Sequence, residues 1–124
     1  MNKKEKIQFI KKVLKHYKDD QCLLIKIENQ NLYPMIHYQE MPQSSYSKET
    51  YLLAQLHFKD KLQKRIHIIE ASKETIGQEY YHILFEDYYY ENKNWWKGIY
   101  SRATYYRHQE QAIDAFYDYL TSLL

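Results

Sequence analysis

The 124-residue chain is long enough for one hydrophobic core and no second domain. Its 44% hydrophobic residues leave no case for disorder, and its formal net charge of +2 falls short of the strongly basic balance of a dedicated nucleic-acid binder. The lone Cys22 excludes an internal disulfide, and no apolar run is long enough to cross a bilayer, which together predict a soluble cytoplasmic protein.

Tyrosine supplies 15 residues, each with a large apolar body and a polar tip, as suits half-buried positions and binding surfaces. Lysine dominates the bases, with arginine only at Arg65, Arg102 and Arg107. An excess of Lys, Asn, Ile and Tyr follows A/T-rich codons and points to a low-GC bacterium, or a phage or mobile element within one. The charge is uneven. Residues 1–18 carry seven lysines against Glu5, whereas the remainder carries more acids than bases.

In chain order, residues 3–18 read as an amphipathic helix, because Ile7, Ile10, Val13, Leu14 and Tyr17 share one face. Asp19 and Asp20 are expected to end it. Residues 21–28 alternate and predict a strand, and residues 32–39 predict a second strand, placed at a sheet edge by Pro34. Residues 41–48 read as a polar loop. Residues 49–70 fit either a helix or a hairpin, and the β-branched run Ile66, Ile68 and Ile69 favours the hairpin. Residues 79–90 and 95–107 are saturated with aromatic and β-branched side chains and predict a hairpin turning at residues 91–94. A closing amphipathic helix over 109–123 carries Ala112, Ile113, Phe116, Leu120 and Leu123 on its apolar stripe. The expected fold class is therefore α+β: a single domain, 1–124, in which an antiparallel sheet is flanked by N-terminal and C-terminal helices as a two-layer sandwich.

No catalytic constellation emerges. Two glycines cannot build a phosphate loop, no GxSxG is present, and Cys22 has no nearby base. His57 and His67 would face each other across the expected hairpin, but no close pair of metal-ligand spacing occurs, so neither metal nor cofactor is expected. The chain reads as no enzyme.

Two binding surfaces stand out instead. Lys4, Lys11, Lys15 and Lys18 fall within roughly a 60° arc of the first helix and offer contacts to an anion or nucleic acid. On the expected hairpin, Ile83, Phe85, Ile99 and Ala103 take the core face, leaving Tyr88, Tyr90, Trp96, Tyr100, Arg102 and Tyr106 on the other as a partner-binding stripe. These features favour a small protein-binding module. A phage- or mobile-element-encoded inhibitor or regulator of a host protein, such as an anti-defence protein, fits that description, and the stripe would also serve a homodimer. The alternative is a nucleic-acid-binding protein that uses the lysines and aromatics together.

Overall fold

The computed structural model describes residues 2–29 and 48–123, with side chains from residue 53 onward in the second stretch. Among the described residues there is no β-strand, so the expected α+β sandwich is replaced by an all-helical fold. The elements are α1 (Lys3–Asn29), α2 (Lys48–Ile76), α3 (Gln78–Leu84) with a π-helical extension (Phe85–Tyr89), a 3-10 turn (Trp95–Gly98) and α4 (Arg102–Thr121). No described helix is long and apolar enough to cross a membrane. The chain forms two compact units, Met1–Lys18 with Ile68–Leu124, and Asp19–His67.

The first unit holds most of the buried side chains. Asn2 caps α1, its Oδ1 accepting from the Glu5 backbone N–H at 2.8 Å while its side-chain Nδ2 donates to Glu5 Oε1 at 3.4 Å. Ile10, Leu14 and Tyr17 are buried on the face that the periodicity predicted. From the other end of the chain Ala112, Ile113 and Phe116 are buried, with Tyr105 from the start of α4. Phe9 meets Tyr117 edge-on at 5.6 Å, and Lys6 Nζ pairs with Asp114 Oδ1 at 3.0 Å, tying the beginning of α1 to α4. Of the closing stripe, Leu123 is exposed, because α4 ends at Thr121.

The pair of strands predicted over 79–90 and 95–107 is helix, turn and helix. Strand-forming residue types lost to spacing: Tyr81, Phe85 and Tyr89 stand four apart, so a helix brings their rings together at 4.1 and 5.1 Å. Ile83, Leu84 and Phe85 then supply consecutive buried positions, which neither face of a half-exposed strand would give. Ile99 and Ala103, assigned to the core face of that hairpin, are exposed. Gly77 separates α2 from α3 with φ 96°, a conformation that L side chains rarely adopt.

In the second unit α1 continues past the predicted stop, and residues 21–28 are helical rather than a strand. Asp20 is tolerated mid-helix because Arg65 grips it bidentately, at 3.0 Å from Nε and 2.8 Å from its terminal nitrogen. Leu23, Leu24 and Ile27 recur at helical intervals and are half-buried. The 49–70 hairpin is likewise corrected to part of α2. Leu62 and Ile66, buried four residues apart, fix the period, and Ile69 and Ser72 continue it into the first unit. The predicted strand over 32–39 and loop over 41–48 lie outside the described residues, save Lys48 at the start of α2.

Candidate functional site

The candidate site lies within the first unit. The extension Phe85–Tyr89 widens the helix and turns Asp87 toward three donors. Trp95 Nε1 donates to Asp87 Oδ1 at 2.8 Å, while Tyr105 Oη and Gln109 Nε2 donate to Oδ2 at 2.5 and 3.0 Å. Trp96 lies face to face on Tyr105, centroids 4.5 Å apart and planes 6° apart. These contacts hold the 3-10 turn and the first turns of α4 against the preceding helix. Burial, followed by the bond to Asp87, pushes the Tyr105 hydroxyl far above its ordinary pKa, so at neutral pH it is a fixed donor.

The start of α4 is built with equal care. Ser101 caps it, Oγ accepting from the Thr104 N–H at 3.3 Å. Tyr105 points inward, while Arg102, Ala103, Tyr106, Arg107 and Glu110 are exposed and fall within about a 140° arc. The Arg102 guanidinium stands over the Tyr106 ring at 5.8 Å. Neither Arg102 nor Arg107 pairs with a carboxylate among the described residues.

The predicted aromatic stripe is divided. Trp96, Arg102 and Tyr106 remain together, with Trp96 and Tyr106 centroids 6.3 Å apart. Tyr100 turns back instead, donating to Glu79 Oε1 at 2.9 Å and stacking on His108, whose buried Nδ1 lies 3.0 Å from the same oxygen without hydrogen-bond alignment. That bond and, ahead of it, burial raise the Tyr100 pKa. Tyr90 is exposed and edge-on to Tyr89.

Tyr88 joins the other predicted set. Lys11, Lys15 and Lys18 line a cleft of about 260 Å³ with Leu14, Tyr88, Tyr89 and Glu91. Lys11 Nζ stands over the Tyr88 ring at 5.7 Å and Lys18 Nζ over the Tyr89 ring at 5.5 Å. Burial, and then the charge of Asp87, pushes the Tyr88 hydroxyl up to about 12. Lys4 lies on the exposed first turns of α1 and does not line this cleft.

Sequence reasoning missed Arg107, and it weighed Asp87 and Glu91 only as an acidic cluster with Lys93, set aside as a solvated turn. Helical spacing from Arg102 and Tyr106 would have found Arg107, whereas nothing local marks Asp87 as the acceptor for Trp95, Tyr105 and Gln109. Among the described residues no three His, Cys, Asp or Glu side chains are grouped to hold a metal ion. Neither a family model, nor a curated protein, nor a solved structure matches the chain.

Proposed function

We propose that this chain is a non-enzymatic nucleic-acid-binding protein that presents the exposed face of α4 to duplex DNA. The observation that carries the reading is the pair Arg102 and Arg107, neither held by a carboxylate among the described residues, flanking Tyr106 on the first turns of a helix that follows a helix and a turn. A helix so placed reads a major groove with its N-terminal residues, and arginine is the side chain suited to guanine edges and phosphates. The brace through Asp87 and the Trp96–Tyr105 stack supports the reading, since a recognition surface must be held before it binds. The net charge of +2 does not itself favour nucleic acid, so the reading rests on Arg102 and Arg107 locally, with Glu110 the opposing charge on the same exposed arc.

Selection from a random duplex library, followed by fluorescence anisotropy across salt concentrations, tests this directly. Arg102→Ala with Arg107→Ala should weaken binding and reduce the salt slope by roughly 1–2. Absence of duplex binding by the wild type at roughly 50 mM salt would sink the proposal.

A second reading, binding to a host or cognate protein or to a second copy of the chain, is favoured by one observation. Ile99 is 64% exposed beside the stacked Trp96, the composition of an interface anchor. Under that reading Ile99→Asp abolishes capture of the partner or dimerisation and leaves DNA affinity unchanged.

A further inference from the structure

We infer that the cleft between the first half of α1 and the turn after the π-helical extension is a phosphoryl-binding site, formed by Lys11, Lys15 and Lys18 beside Tyr88. This inference does not rest on the α4 reading, since it uses other residues on another face of the same unit. Three lysines line one cleft, and none of them pairs with a carboxylate among the described residues. Like charges so close on one helix repel, a cost that an anion in the cleft would relieve. Two of the lysines are steadied by the rings beneath them, so their positive ends are held at the cleft rather than free to disperse. Lysine is a compact point charge with three donors, the chemistry that takes a phosphoryl oxygen without demanding planar geometry. Tyr88, kept protonated, adds a neutral wall that does not repel the anion.

Glu91 sets the polarity of the test. Glu91 lines the same cleft as the three lysines, without an ion pair to any of them among the described residues, at a backbone position with φ 54°. An anion therefore binds in spite of Glu91, and neutralising that residue must strengthen binding. A residue of purely structural importance would give the opposite sign or no effect. Lysines spread over roughly 10 Å of helix suit either one phosphoryl group gathered among them or successive phosphates of a strand. The shared chemistry is the phosphoryl oxygen, and the two sources are free phosphate and a nucleic-acid backbone.

The experiment titrates inorganic phosphate, a ten-residue oligothymidylate and a ten-residue polyglutamate into the full chain at low salt, followed by NMR shifts of the cleft residues. Lys15→Ser and Glu91→Gln are compared with the wild type, and melting curves confirm their folding. Lys15 is exposed and holds neither a ring nor a carboxylate among the described residues, so its removal spares the fold. Lys15→Ser should weaken phosphoryl binding roughly tenfold, and Glu91→Gln should tighten it. Saturation by phosphate alone identifies a free-phosphate site, and saturation by the oligonucleotide alone identifies backbone phosphates. Polyglutamate binding as tightly as either, or affinities indifferent to both substitutions, would overturn the inference.

Discussion

The indole N–H of Trp95 donates to Asp87 Oδ1 at 2.8 Å, across eight residues that include the turn between the π-helical extension and the 3-10 segment. The opposite oxygen takes Tyr105 and Gln109, so one carboxylate joins three elements. Asp87→Ala leaves three partly buried donors without their acceptor and should cost about 2–4 kcal/mol. Thermal melting measures this. A transition within a degree of the wild type would show that the network contributes nothing.

Alkali should unfold the protein. Burial, ahead of nearby carboxylates, raises the pKa of Tyr17, Tyr81, Tyr88 and Tyr105. A group with a raised folded pKa holds its proton more tightly in the folded state. Its stabilisation is complete below the ordinary tyrosine value, about 10, and is lost as pH rises beyond it. Absorbance titration at tyrosinate wavelengths should show a set of tyrosines that ionises only as helical circular dichroism disappears. Ionisation of every tyrosine together, with helicity intact, would contradict this.

The core should be intolerant at one end of α4 and indifferent just beyond it. Phe116 is 0% exposed, and Phe116→Ala should cost about 3–5 kcal/mol, a large part of the stability of a small domain. Leu123→Ala, at an exposed position, should stay within about 0.5 kcal/mol. Denaturant titration of both variants tests the contrast.

Capping and recognition can be separated. Ser101→Ala removes the acceptor for Thr104 N–H and should cost about 1 kcal/mol. It removes no charge, so the salt slope of DNA binding should be that of the wild type. A changed slope would mean that Ser101 also positions a phosphate-contacting arginine.

The two ends of the chain were legible in the sequence because apolar period and residue type agreed there. Ile10, Leu14 and Tyr17, like Ala112, Ile113 and Phe116, are good helix-face residues at helix spacing. Elsewhere the two signals conflicted. Tyr81, Phe85 and Tyr89 are strand formers at helix spacing, and the spacing prevailed because stacked rings and burial outweigh a propensity worth at most ~1 kcal/mol. Residues 21–28 misled because Asp20 resembles a helix stop until Arg65, 45 residues away, is seen to hold it. The lysine arc needed only the α1 helix to be right, so three of its four members meet in one cleft. The aromatic stripe depended on a strand register, and it dispersed when that register proved not to exist.

Gly77 makes one position of this chain a test of handedness rather than size. Its φ of 96° lies where an L side chain is strained, yet an added Cβ would meet nothing within 4 Å. The obstacle to substitution is therefore the mirror sense of the residue, not its bulk. L-alanine at 77 should destabilise the break between α2 and α3, whereas D-alanine, introduced by chemical ligation, should be accepted. By restricting the unfolded chain it should raise the melting temperature. The sequence writes glycine there because the genetic code offers no right-handed alternative.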